Sequence, residues 1–223
     1  MNPGREIRFI DFHSHQPGGG RDTITIMNLM AGEDVPADFP PDTLFSAGIH
    51  PWQLTEENAQ QLRTELLLTA AHPHVVMIGE AGFDLLKGPG MELQYNLFLF
   101  QATTAREMNK SMVIHCVRGW EELRRAHNEV NPERPWVIHG FRGNVKLAAS
   151  LWGDGFWFSL GTKGITAEIL EVVSHDRILL ETDDTGGSIA DVYRLFAMTA
   201  GYDEETTAGL IMSNFNSLFN FGA

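Results

Sequence analysis

The stretch Ile10-Asp11-Phe12-His13-Ser14-His15-Gln16-Pro17 runs into three glycines, Gly18 to Gly20. An apolar run therefore ends in two histidines one residue apart. Residues i and i+2 face the same side of a strand, so both imidazoles can reach one point. The chain holds a second pair at this spacing, His72 and His74 around Pro73. Spacing alone does not separate a metal grip from two surface histidines. Position along the order of elements does.

Short β-branched and apolar runs predict strands over Ile7–Phe12, Thr23–Leu29, Thr43–Gly48, Val75–Gly79, Ser111–His115, Trp136–Ile138, Phe156–Leu160 and Arg177–Glu181. Helix-like segments lie between most of them. In Glu56–Ala71, Leu62, Leu66 and Ala70 share a face, and in Met91–Met108, Leu93, Leu97, Gln101 and Ala105 do. Strands alternating with helices predict an α/β fold, a (β/α)8 barrel of TIM type, with chemistry at the C-terminal strand ends. The first joint departs from this order. Only the ten residues His13 to Asp22 separate the first two strands, and a parallel crossover usually needs a dozen or more. The barrel is expected to be distorted or shortened at its first βα unit, or the second strand to run antiparallel to the first.

Composition narrows the class. The 223 residues are 43% hydrophobic, enough for a substantial core, and no linker divides them, so one domain over 1–223 is expected. "GEDVPADFPPD" (32–42) reads as a surface loop. No apolar run approaches the roughly 18 residues of a membrane span, and the start shows no secretory signal pattern. Cys116 is the only cysteine, which fits a reducing, cytoplasmic setting. The net charge of −13 comes without Lys/Arg stripes. Extended duplex binding is disfavoured, whereas a small anionic substrate is not. No obligate protein partner is evident.

His13 and His15 follow the first apolar run, while His72 and His74 precede theirs and belong at the opposite end. The other strand ends carry Glu80 in "VVMIGEAGFD", His115 in "SMVIHC", His139 in "WVIHG", and Glu181, Thr182 and Asp183 in "RILLETDD". Several titratable groups gathered on one rim are costly unless something pairs them, and a pair of metal ions does so. Imidazole and carboxylate donors suit zinc or manganese, with magnesium as a harder alternative. Glu80 is best placed to bridge two ions, and Asp183 to accept a proton from an attacking water. Arg118, Arg142 and Lys163 each fall about three residues past a strand end, where they are candidates for binding an anionic substrate group. Cys116, His127, His175 and the five tryptophans read as packing or surface residues.

"DFHSH" (11–15), "GIHPW" (48–52), "IGEAGFD" (78–84), "VIHC" (113–116), "IHGFRG" (138–143) and "ETD" (181–183), with a closing "NFNSLF" (214–219), resemble the TatD family of metal-dependent hydrolases, the TatD-related deoxyribonucleases. The resemblance runs nearly the length of the chain. It implies a (β/α)8 barrel with two divalent ions, one held by His13, His15, Glu80 and Asp183, the other by Glu80, His115 and His139. His50 matches an active-site histidine near the substrate. The implied reaction is phosphodiester hydrolysis, on DNA ends or single strands. Arg142 stands where the family commonly has serine. Phe83-Asp84-Leu85 replaces Leu-Asp-Tyr, and Asp184-Thr185-Gly186-Gly187 follows "ETD" in place of Ala-Pro. These departures spare the implied ligands and alter the substrate rim. Amide or lactone hydrolysis on the same metals, and a metal-binding barrel without catalysis, are the alternatives.

Overall fold

The computed structural model describes residues 8–17, 20 and 22–219. Eight strands follow one another: β1 (Phe9–Ser14), β2 (Thr23–Met30), β3 (Thr43–Gly48), β4 (Val75–Asp84), β5 (Ser111–Val117), β6 (Trp136–Ile138), β7 (Trp157–Leu160) and β8 (Ile178–Leu180). The helices are α1 (Ala59–Ala70), α2 (Met91–Glu107), α3 (Trp120–Val130), α4 (Val145–Gly153), α5 (Ala167–Val172), α6 (Ile189–Ala200) and α7 (Glu204–Leu218). The strands form one sheet in chain order. Past β8, Asp183 bridges in parallel to Ser14 of β1. An eight-stranded sheet in this order, with its last strand rejoining its first, is the TIM-type (β/α)8 topology.

β1 and β2 pair in parallel, Phe9 opposite Thr23, with a register shift between Asp11 and Ser14. Of the two expectations for the first joint, distortion is the one observed. Residues 15–22 join the strands with no helix among those described, and 32–42, the expected surface loop, also lacks one. The expected strand start at Ile7 lies outside the described residues. Four strands run further than expected, β2 to Met30 and β5 to Val117 among them. β1 includes His13 and Ser14. β4 continues to Asp84 because Ala81–Asp84 pair residue for residue with Ile114–Val117, after a register shift between Ile78 and Ala81. Gly79 lies within that shift and Gly82 just after it, both at positive φ, and Glu80 sits within the strand and not beyond its end.

The chain divides into two compact units. The first comprises Met1–Met27, Phe39–Thr43 and Ile138–Ala223. In it α7 lies against β1 and β8, burying Phe215 and Leu218. Asn214 on α7 donates to the carbonyls of His175 and Ile178, 2.7 and 2.8 Å, at the start of β8. On α6, the Tyr193 hydroxyl accepts from Ile10 N at 2.9 Å.

The second unit comprises Asn28–Asp38 and Leu44–Val137. Leu62, Leu66 and Ala70 of α1 are buried on the expected face. On α2, Leu97, Gln101 and Ala105 are buried as expected, and Gln94 joins them, while Leu93 is only half-buried. Two buried glutamines would be costly on an apolar face unless bonded. Gln101 accepts from Ile49 N at 2.7 Å and donates to Ile49 O at 3.1 Å. Gln94 does the same for Asp84, at 2.8 and 3.0 Å. One helix therefore clamps the chain just past β3 and at the last residue of β4. No helix among the described residues is long and apolar enough to cross a membrane.

Phe98 is fully buried, with Phe83 and Trp136 at ring-centroid distances of 4.7 and 5.2 Å. Phe98→Ala is expected to lower unfolding free energy by about 3–5 kcal/mol, since it leaves a cavity beneath α2. Urea denaturation measures this, and a loss under about 1 kcal/mol would contradict the packing.

Candidate metal centre

In the first unit, His13, His15 and Asp183 offer one ligand atom each, all within 4.8 Å of one another. The Nε2 atoms of His13 and His15 lie 3.8 and 3.7 Å from the same oxygen, Oδ1 of Asp183. The i, i+2 spacing thus converges the two rings as the strand geometry requires, although His13 is buried and His15 exposed. Asp183 is held from the backbone. Its N–H donates to His13 O at 2.9 Å, and its carbonyl accepts from His15 N at 3.3 Å. Its φ of 55° is left-handed, a conformation aspartate and asparagine tolerate better than most residues.

A second group in this unit joins His139, Glu181 and Asp183. His139 lies beside His13, ring centroids 4.3 Å apart, and its Nδ1 is 3.7 Å from Glu181 Oε1. Glu181 is 1% exposed. Its Oε1 accepts from Gly140 N at 2.6 Å, while its Oε2 is buried without a hydrogen-bond partner. Behind these groups lies Asp11, whose two oxygens accept from Thr182 N at 2.9 Å and Thr182 Oγ1 at 2.7 Å. Burial raises its carboxyl to about 7. The Thr182 donors oppose that rise, and neighbouring Glu181 and Asp183 add to it.

In the second unit, His50, Glu80 and His115 form the third group of donors within 4.8 Å. His115 Nδ1 is 2.7 Å from Glu80 Oε1, and its Nε2 is 3.5 Å from Asp84 Oδ2. His50 Nδ1 accepts from Trp52 N at 3.1 Å. The proton of a neutral His50 therefore sits on Nε2, 3.3 Å from Glu80 Oε1. In that tautomer His50 is a donor toward Glu80. The Glu80 backbone is fixed as well, its N–H donating to Asn28 Oδ1 at 2.8 Å, an oxygen that also accepts from Ser46 Oγ at 3.0 Å. Burial would raise the Asp84 carboxyl, but donors from Trp52, Leu86, Lys87 and His115 outweigh it, and its pKa falls below the usual value.

A cavity of about 240 Å³ in the first unit is lined by Arg142, Lys163, Glu181, Thr182, Asp183 and Ser188, among others. Two of the three expected cations therefore stand beside Asp183. Arg118 does not line this cavity. It follows β5 in the second unit, exposed and at a φ of 63°. His72 and His74 precede β4, with His74 exposed. Burial pushes the Cys116 thiol well above its ordinary pKa, so it is poorly suited to be a nucleophile. Sequence reasoning assigned no role to Asp11 or Asp84, and none of its own to Glu181. All three lie inside motifs it singled out, "DFHSH", "IGEAGFD" and "ETD", but their bonds to distant residues left no local signal.

Nitrogen and oxygen donors in sets of three, with one buried carboxylate oxygen lacking a partner, fit a divalent metal. The fold is a (β/α)8 barrel, and each of these sets is a group of side chains that could hold a metal ion. The chain belongs to the family described as TatD related DNase, whose pattern matches residues 34–220. It is 30% identical over 158 residues to the 3′-5′ ssDNA/RNA exonuclease TatD of Rahnella sp. (strain Y9602), covering 66% of this chain and 59% of that protein. It is 28% identical over 159 residues to the same-named protein of Escherichia coli (strain K12), covering 62% and 56%. The chain thus aligns to less than two thirds of the length of these relatives. Among solved structures, the TatD homologue YJJV of Escherichia coli K12 matches with a TM-score of 0.74 at 20% identity, over 97% of this chain and 99% of that one. A TatD family hydrolase of Entamoeba histolytica matches with 0.75 at 15%, over the same shares. These likenesses show the fold.

Asp183→Asn removes the carboxylate and leaves the backbone bonds to His13 and His15 in place. The variant is expected to keep its melting temperature within a few degrees while metal affinity drops by at least about tenfold. Calorimetric titration with zinc or manganese measures this, and unchanged affinity would exclude Asp183 from the ligand set.

Proposed function

We propose that this chain is a divalent-metal-dependent phosphodiesterase acting on single-stranded nucleic acid, taking it from an end. The observation that carries this reading is the cavity in which Arg142 and Lys163 stand beside Asp183 and Glu181. A site with only carboxylates and imidazoles would serve an amide as well as a phosphodiester. Two cations beside it favour an anionic substrate. The names of the curated relatives point the same way.

We assign two ions to the ligand sets that the resemblance implies: His13, His15, Glu80 and Asp183 for one, and Glu80, His115 and His139 for the other. Zinc or manganese suits the donors best. Such ions, when bound, acidify a water and offset phosphate charge. The remaining work falls to the chain's own side chains. Arg142 and Lys163 hold the phosphate, Arg142 in bidentate fashion. Asp183 accepts the proton of the attacking water. His50, protonated on Nε2, steadies the Glu80 carboxylate, while Asn28 holds its backbone. A cytoplasmic setting belongs to the same reading and is supported by the single cysteine.

The net charge of −13 favours contact with one end of a strand over a long track. Metal-stripped protein re-loaded with manganese or zinc is expected to shorten a labelled single strand stepwise, and to leave duplex interiors uncut. Stoichiometric metal without turnover on any phosphodiester would overturn the reading. Arg142→Ala and Lys163→Ala are each expected to raise KM about tenfold, the size of a lost charge-assisted bond, with kcat less affected. An unchanged KM in both variants would remove the phosphate role.

A further inference from the structure

Trp52 is an exposed large aromatic that touches His50 and His115 of the second unit's donor group. It is 53% exposed, yet it is held firmly. Its indole N–H donates to Asp84 Oδ2 at 2.7 Å. Its ring meets His50 edge-on at 4.8 Å and His115 edge-on at 5.8 Å. Lys87 Nζ lies 3.9 Å from the ring centroid, and Lys87 N donates to Asp84 Oδ1 at 2.9 Å. One carboxylate thus fixes an indole by its N–H and the adjacent lysine by its backbone. Leu85 and Leu86, 51% and 62% exposed, follow Asp84 directly.

Packing does not account for this arrangement. A tryptophan used for the core is covered, as Trp136 is at 2% exposure. Here about half the side chain is left in water while its polar edge is tied down. A rigid aromatic loses little entropy on binding, and any nucleobase offers it a face. Lys87, held at the ring by a cation–π contact, keeps a positive charge beside it, the complement of a neighbouring phosphate. The ring also borders His115, whose Nδ1 is 2.7 Å from Glu80 Oε1, so a group stacked on it lies next to this cluster.

We infer that Trp52 is a stacking platform for the terminal nucleobase of a single-stranded substrate, with Lys87 holding the adjoining phosphate. This rests on the phosphodiesterase reading and adds a determinant to it, since the enzyme would sense a base and not the sugar–phosphate chain alone. Stacking of this kind tolerates every base, so it selects single-stranded ends over paired ones without reading sequence.

The test compares a single-stranded oligonucleotide with the same strand lacking the base of its terminal nucleotide, prepared for each end in turn, using metal-loaded enzyme. Wild type is expected to show a KM about tenfold higher on the abasic strand at one end, from the loss of one stacked base. Trp52→Ala should show the same KM on both strands. Trp52→Phe, which keeps a ring and loses the N–H bond to Asp84, should retain most of the difference. In metal-free protein, the intact oligonucleotide should quench wild-type fluorescence more than that of Trp52→Phe. Equal KM values in wild type, a difference that survives Trp52→Ala, or equal quenching in the two proteins would overturn the inference. Failure of the phosphodiesterase reading looks different, with no cleavage of either strand at full metal loading, and the quenching comparison decides the stacking independently.

Discussion

Thr182 and Asp11 are 171 positions apart, and their paired hydrogen bonds hold the first unit's site together. The Asp11 carboxylate accepts both the backbone N–H and the hydroxyl of Thr182, which fixes where the chain runs after β8. One residue on, Asp183 bonds to His13 O and is bonded by His15 N. The oxygen that faces both histidines is therefore placed by backbone contacts before any metal arrives. Donors set in advance lose little freedom on binding an ion, and this is where a preorganised site gains its affinity. Asp11 contributes by orienting the strand end that carries Asp183. Its raised pKa comes chiefly from its burial, with Glu181 and Asp183 adding to the rise.

The second unit solves the same problem with other parts. Glu80 is a buried carboxylate on a strand whose register shifts around it, and its backbone is anchored by Asn28. Asp84, four residues later, takes donors from Trp52, Leu86 and Lys87 and stands behind His115. Carboxylates that back histidines fix the orientation of the ring. Gln94 and Gln101 make this possible from α2, since each bonds both the N–H and the carbonyl of a residue beside the cluster. A helix face that reads as an apolar stripe with a polar interruption is in fact a template for two strand ends.

The sequence made the strand order legible because alternating apolar runs and helical faces are local patterns. All eight strands and the convergence of His13 with His15 follow from it. The joint after β1 was legible only as an anomaly, since chain length argued against a parallel crossover and could not choose between distortion and reversal. The choice depends on the pairing of Phe9 with Thr23, which no local pattern encodes. The extension of β4 was missed for a related reason. The apolar run reads as ending at Gly79, whereas the ladder to β5 continues through Ala81–Asp84. Asp11, Asp84 and Glu181 were seen as motif letters without roles, because what defines each is a donor contributed from elsewhere: Thr182, Trp52 and Gly140. Trp52 reads with the other tryptophans as a packing or surface residue, since nothing in "GIHPW" shows that its ring is left exposed beside two histidines.

On the proposed reading, an acidic chain that handles a polyanion must localise its attraction. With a net charge of −13, the long-range field repels a strand, and screening leaves it little reach beyond about 8–10 Å in physiological salt. What draws a phosphate on the proposed reading is then short-range: Arg142 and Lys163 in one cavity, metal charge beside Asp183, and Lys87 on its indole. Few phosphates are neutralised in such a complex, so binding should depend only weakly on salt compared with proteins that track a duplex. The general repulsion then has a use. It disfavours stretches of chain that cannot place an end in the site, and leaves ends, with one unpaired base and one reachable phosphate, as the species whose local contacts outweigh it.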